Sequence, residues 1–303
     1  MLAYFVAMAT YAGFFMILAQ GLNLQWGMTG MVNFGVAGFY AIGAYSGALL
    51  STRVGITPEL AIALAGAIAG VAGLGVSLLT VRLREDYFAI VTLGFGEIVR
   101  LFALNEDWLT EGPKGLRIPV RPFDFGLGNT AYSLVYLGVV ALVVLVIYAI
   151  CERIRTGPYG RTLRAIREDD VVAGVLGKYV LRFRVQIFVL GSVFMGIAGA
   201  LFAHYIQNIS PDTFMPMIAI FIWMSVIVGG YGNNKGLLLG AGIVMLILEG
   251  SRFLGDFTSI VTSQQLSSIR IILIGVILMA VLRFKPRGLI PEPKFVSEFE
   301  KAS

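Results

Sequence analysis

Two acid–base pairs stand three residues apart in otherwise apolar sequence, Glu97 with Arg100 and Glu249 with Arg252. On a helix that spacing puts both partners on one face, where they neutralise one another. At membrane depth such residues are costly and are either paired or functional. The chain has a single His, His204, and a single Cys, Cys151, too few for a typical zinc site. His204 reads as an interfacial residue near the outer end of a span. Residues 174–179, with Gly174, Gly177 and Lys178, lack the spacing and the hydroxyl of a phosphate-binding Gly-x4-Gly-Lys-Ser/Thr loop. No acid–His–acid chain suits a proton-driven pump. The residues supply no catalytic constellation, no metal cluster and no engine.

One polar excursion carries the remaining charge pattern. Pro158 and Gly160 close the helix before it, and residues 162–176 are expected to form one short helix. Arg161, Arg164 and Arg167 form its basic stripe, with Arg164 and Glu168 at i and i+4. Leu163, Ile166 and Ala173 fall on one side, with Asp170 interrupting that face. Such a segment is either a positive loop held at lipid headgroups or a helix lying flat on the cytoplasmic side and docking into a soluble partner.

The elements around these residues are set by composition. Of 303 residues, 57% are hydrophobic and 14% charged, against roughly 25% charged in soluble domains, and the mean hydropathy is +0.84. A spanning helix needs ~20 apolar residues. Residues 1–52 contain no Lys, Arg, Asp or Glu and are long enough for two spans, with Asn23, Leu24 and Gln25 as the expected break. The expected class is an all-α polytopic membrane protein of about nine (eight to ten) transmembrane helices, at 3–21, 31–50, 60–81, 87–104, 131–151, 185–206, 214–230, 236–254 and 266–283. A segment of the first 50 residues could instead be broken or re-entrant. The runs do not alternate as strands of an outer-membrane barrel would. No basic region precedes the first apolar stretch, so it is expected to be retained as a span.

Positive loops face the cytoplasm. Segment 152–184 holds Arg153, Arg155, Arg161, Arg164, Arg167, Lys178, Arg182 and Arg184. The C-terminal run adds Arg283, Lys285, Arg287, Lys294 and Lys301, and Arg82 and Arg84 follow the third span. Even numbers of spans separate these regions, so they share a side, the cytoplasmic one, and nine spans put the N-terminus outside. The basic balance marks membrane anchors and not nucleic-acid binding.

Glycine is dense in several spans. The pairs Gly43/Gly47, Gly66/Gly70 and Gly236/Gly240 have the small-x3-small spacing of closely packed helices; lining a conduit or permitting a hinge is the other reading. Residues 27–35 and 229–236 are rich in Gly and Asn between apolar runs, as where a helix breaks. Their similarity hints at an internal repeat, although an ordinary cytoplasmic turn also accounts for the second.

Five ordered motifs resemble the permeases of branched-chain amino acid ABC importers, of the M type, between about residues 18 and 291. They are Gly21-Leu-Asn-Leu-Gln-Trp-Gly-Met-Thr-Gly30 with Asn33-Phe-Gly35; Thr92-Leu-Gly-Phe-Gly-Glu97-Ile-Val-Arg100; Arg161-Thr-Leu-Arg-Ala-Ile-Arg-Glu168; Gly229-Gly-Tyr-Gly232; and Arg283-Phe-Lys-Pro-Arg-Gly288-Leu. The family usually has Gln where Arg287 stands. The resemblance implies a single permease domain over 1–291 and a cytoplasmic tail at 292–303. It makes 152–184 a coupling loop for an ATPase, with Gly160, Arg161, Arg164, Arg167, Glu168, Asp169, Ala173 and Gly177 as its residues. It implies a second, related permease subunit, two cytoplasmic ATPases carrying ATP and magnesium, and a periplasmic solute-binding protein, in a bacterial or archaeal plasma (inner) membrane. No cofactor is expected on this chain. The implied solutes are Leu, Ile and Val, although relatives import urea, amides and other amino acids. Asn33, Phe34, Gly35 and Glu97 are the candidates for the solute path. A secondary transporter or channel would instead need coupling-ion carboxylates in the spans, for which only Glu97 and Glu249 are available.

Overall fold

The computed structural model describes residues 2–124, 126, 128–257, 272–273, 275–276, 279–281 and 283–292. The uncharged first 52 residues do fold into two helices, but not with the expected break. Helix α1 (Leu2–Thr29) runs unbroken through Asn23 and Gln25, and the chain turns a helical turn later, at 30–35, before α2 (Val36–Thr52). Neither amide needs solvent. Asn23 Nδ2 donates to Asn234 Oδ1 at 3.1 Å and Gln25 Nε2 to the Phe188 carbonyl at 2.9 Å. Polar side chains satisfied in this way sit inside a helix at little cost.

The chain continues through α3 (Pro58–Thr80), α4 (Glu85–Asn105), the short α5 (Asp107–Thr110), the two-residue strand β1 (Leu116–Arg117) and α6 (Asn129–Thr156). Next come α7 (Pro158–Glu168), α8 (Asp170–Val175), α9 (Val180–Ile206), β2 (Asn208–Ile209), α10 (Met217–Gly229) and α11 (Asn234–Phe257). Every expected span up to residue 254 coincides with one of these helices. Six stretches, Leu2–Thr29, Pro58–Thr80, Asp86–Asn105, Asn129–Thr156, Val180–Ile206 and Pro211–Gly229, are long and apolar enough to cross a membrane. Helix α2, with 17 residues, rises about 26 Å at 1.5 Å per residue and falls just short of a full ~30 Å hydrocarbon core. More than half of the expected span at 266–283 lies outside the described residues, as does the side chain of Arg252.

Helix α9 is the hub, packed against α1, α2 and α3. A side chain on Gly43 would strike the backbone of Gly196, and one on Gly199 the backbone of Tyr40, so the α2–α9 crossing needs glycine on both helices. Gly47 rests on Ala200, Gly66 on Ile197, and Gly236 and Gly240 on the backbone of α10. These glycines pack helices. Above the crossing, Phe14, Phe202 and Tyr205 meet edge to face at 5.9–6.0 Å. His204 is fully buried there, with Nδ1 2.8 Å from the Ala200 carbonyl and Nε2 3.1 Å from Ser51 Oγ. It is a core residue, not the interfacial one expected, because it is packed between α2 and α9 with both ring nitrogens held by protein. The outward faces of α3 and α4 stay apolar and open, with Val71 and Leu79 among their exposed residues.

The two ends of the bundle differ. At one, β1 pairs antiparallel with β2, Leu116 opposite Ile209, joining the loops that follow α4 and α9. At the other, Arg82, Arg84, Arg184 and Asp170 line a single cavity of about 770 Å³, and Arg167 pairs with Glu292. The described parts of the three basic regions therefore share one end, as the spacing of spans requires. The stretches 27–35 and 229–236 meet there as well, with the rings of Trp26 and Tyr231 5.0 Å apart.

Candidate coupling site

The excursion between α6 and α9 forms two helices where the sequence suggested one. Pro158 sits in the first turn of α7, where its missing N–H costs nothing, and Gly160 lies beneath the carbonyls of Ile154 and Arg155. The helix stops at Asp169, whose backbone is extended (φ −156°, ψ 107°) and whose Oδ1 accepts the Val172 N–H at 2.9 Å. Asp169 is thus the N-cap of α8, a role its short carboxylate suits better than a helix interior. Gly177 (φ +79°) turns the chain out of α8 in a backbone region that favours glycine.

The apolar side expected for this segment faces inward. Leu163, Ile166 and Ala173 are buried against the bundle. Tyr159 joins them, its OH donating to Gln186 Oε1 at 2.9 Å and its ring 5.1 Å from Phe183 on α9; burial raises its pKa. The basic stripe is not a solvated face. Arg161 is exposed, Arg164 is buried and Arg167 is mostly so. Burial lowers the pKa of the Arg164 guanidinium, opposed first by the carboxylate of Glu292. Glu168 stays exposed.

What projects from this end is apolar. On α8 and just beyond it Val171, Val175, Leu176 and Tyr179 are 71, 84, 73 and 80% exposed. Asp170 behind them pairs with Arg184 at 3.1 Å, and a groove of about 510 Å³ runs alongside, lined by Gly174, Tyr179, Leu181 and Arg182. An apolar knob rimmed by charge thus stands on a helix braced from behind, the kind of exposed patch that marks a protein or membrane contact. The coupling-loop residues expected from sequence, Gly160, Arg161, Arg164, Arg167, Glu168, Asp169, Ala173 and Gly177, did not include this exposed run of Val171, Val172, Val175 and Leu176.

The path candidates gather at the α1–α2 break. Asn33 is buried; its Nδ2 donates to Gln25 Oε1 at 2.7 Å and its Oδ1 accepts the Gly35 N–H at 2.7 Å. Phe34 is half-buried and stacked on Trp223 with centroids 4.9 Å apart, and its N–H donates to Thr92 Oγ1 at 3.1 Å. Gly35 lies against the Thr92 carbonyl. Glu97 stands apart on α4, held by Arg100 at 2.5 Å, with Asp212 a further 3.9 Å from that guanidinium. Gln25, Thr92 and Trp223, none of them among the path candidates read from sequence, hold the break in shape. Among the described residues no group of three His, Cys, Asp or Glu could hold a metal ion.

These features define a polytopic helical membrane protein, and the proteins it resembles are membrane permeases. The family model for the permease component of branched-chain amino acid transport systems matches residues 4–282. The high-affinity branched-chain amino acid transport system permease protein LivM of Salmonella typhimurium is 32% identical over 309 residues, covering 94% of this chain and 70% of that protein. The probable LivM permease of Methanocaldococcus jannaschii is 28% identical, covering 94% of this chain and 92% of that protein. The LivH permease of Escherichia coli is 27% identical, covering 80% and 81%. No solved structure matches. The chain belongs to the branched-chain amino acid transport permease family.

Proposed function

We propose that this chain is one membrane-spanning subunit of an ATP-driven importer for leucine, isoleucine and valine. The observation that supports this most is α8, an exposed apolar knob at the basic end of the bundle, held from behind by α7. The basic end is the cytoplasmic one. A cytoplasmic ATPase docks on α8, and ATP and magnesium bind to that partner. A second, related permease completes the pore, as the separate LivM and LivH relatives suggest. A periplasmic binding protein delivers solute to the opposite end, where β1 and β2 close the surface. The ATPases close on ATP, shift α7–α8 and tilt the spans, so that the path opens alternately to either side. Phe34 and Glu97, which keep exposed surface, line that path, and Asn33 and Gly35 shape the break beside it. The chain performs no catalysis of its own.

The test is uptake by vesicles holding the permease pair and ATPases, with ATP inside and loaded binding protein outside. Leucine accumulates only when every component is present. Leucine flux through this chain alone, without ATP, would contradict the reading, and accumulation of urea but not leucine would reassign the solute.

A further inference from the structure

Arg167 stands where three parts of the chain meet. Its Nη1 donates to the carbonyl of Gly27, in the last turn of α1, and its Nη2 donates to Glu292 Oε2 at 2.8 Å. The last carbonyls of a helix lack intrahelical partners, and a cation there also meets the negative end of the helix dipole. The Arg167 and Glu292 side chains are only 20% and 19% exposed. The carboxyl of Glu292 rests against Gly232 in the α10–α11 turn. The Gly232 N–H donates to Asn23 Oδ1 at 2.8 Å, and Asn23 Nδ2 reaches Asn234 Oδ1. The C-terminal segment is fastened too. The Leu289 and Ile290 N–H groups donate to the Val228 and Gly229 carbonyls at 2.9 and 3.1 Å, and Asn233 Nδ2 donates to the Pro291 carbonyl at 3.0 Å.

We infer that the Arg167–Glu292 pair is the joint through which movement of α7–α8 passes to the α1–α2 break and the α10–α11 turn, so that the segment 288–292 is a working part of the coupling apparatus. This rests on the reading of α8 as the ATPase-docking knob. The guanidinium is a rigid fork whose two donors serve two different elements. A shift of α7 must therefore carry Gly27 and Glu292 with it, or break two charge-assisted hydrogen bonds in a place with little water to replace them. Arg167 is thus a positioning residue; the docking surface lies elsewhere, on Val175 and Leu176.

The experiment uses the intact reconstituted importer and reads two quantities, ATP hydrolysed and leucine accumulated, for wild type, Arg167→Ala, Arg167→Lys and Glu292→Gln. ATPase association and hydrolysis are expected to persist, while leucine moved per ATP falls about tenfold in Arg167→Ala, the scale of a coupling free energy between sites. Arg167→Lys, which keeps the charge but loses the fork, should fall in between, and Glu292→Gln should lose coupling in the same direction. Uptake per ATP equal to wild type overturns the joint, as does loss of uptake and hydrolysis in step. Should Arg167→Ala fail to reach the membrane, the Arg167→Lys ratio decides by the same criterion. A wild-type complex that does not accumulate leucine on ATP would sink the importer reading itself, whereas a pumping wild type matched by its variants sinks only the joint.

Discussion

The indole Nε1 of Trp223 donates to the backbone carbonyl of Asn33 at 2.9 Å, tying α10 to the non-helical turn between α1 and α2. Backbone freed from a helix at membrane depth persists only where protein satisfies it. Here Trp223 and Thr92 do so through their side chains, and the Gln25 carbonyl accepts the Met31 N–H at 3.1 Å. Replacing Trp223 by Phe keeps a ring for Phe34 to stack on and removes the donor. The expected cost is about 1–3 kcal/mol for the orphaned carbonyl, read as a lower thermal midpoint in detergent. An unchanged midpoint would show that the break does not depend on this bond.

Gln25 and Asn33 act as a unit, since each amide completes the other. Gln25→Leu and Asn33→Leu should each destabilise, and the double variant should cost less than their sum, with a coupling of about 0.5–3 kcal/mol expected for residues sharing one hydrogen-bond network. Chemical denaturation of the four proteins measures it, and strict additivity would refute the coupling.

Asp169 caps α8, so Asp169→Ala should loosen α8 by about 0.5–2 kcal/mol. Asp169→Asn, which still accepts from the Val172 N–H, should cost far less. Hydrogen exchange of residues 170–176 reports the difference; equal exchange in both variants would remove the cap from the account.

Gly43→Leu drives a side chain into the backbone of Gly196, which cannot yield as a flexible side chain can. Overpacking of this kind costs about 1–3 kcal/mol or more. The α2–α9 crossing should open, with a lower yield of folded protein and a lower thermal midpoint. A stable Gly43→Leu variant would show that the crossing tolerates separation.

The helices were legible in the sequence because hydrocarbon demands long uncharged runs, and those runs have no other use. The shared end of the basic loops was legible for the same reason. The position of the first break was not. Asn23 and Gln25 look like breakers until their partners, Asn234 and Phe188, are known, and those lie 211 and 163 residues away. The split between α7 and α8 had a local sign, since Asp169 is an N-cap residue type inside a supposed helix. The burial of Arg164 and Arg167 had none. Basic residues in a loop read as solvated, and only the arrival of Glu292, 125 residues from Arg167, turns one of them inward. For the same reason the surface left exposed at this end is formed by the valines of α8 and not by Arg164 and Arg167.

If a cytoplasmic partner drives this chain through α8, a cross-linker placed on α8 reaches that partner. Cys151 is buried and therefore unreactive, so Val175→Cys places one exposed thiol on the knob at a site 84% exposed, where a substitution should alter stability by no more than about 0.5 kcal/mol. Val54→Cys, 64% exposed at the opposite end, is the control. With a thiol-to-amine cross-linker on the intact complex, residue 175 is expected to yield an adduct of permease and ATPase, and residue 54 none. An ATPase adduct from residue 54, or its absence from residue 175 in a complex that still transports, would contradict the account.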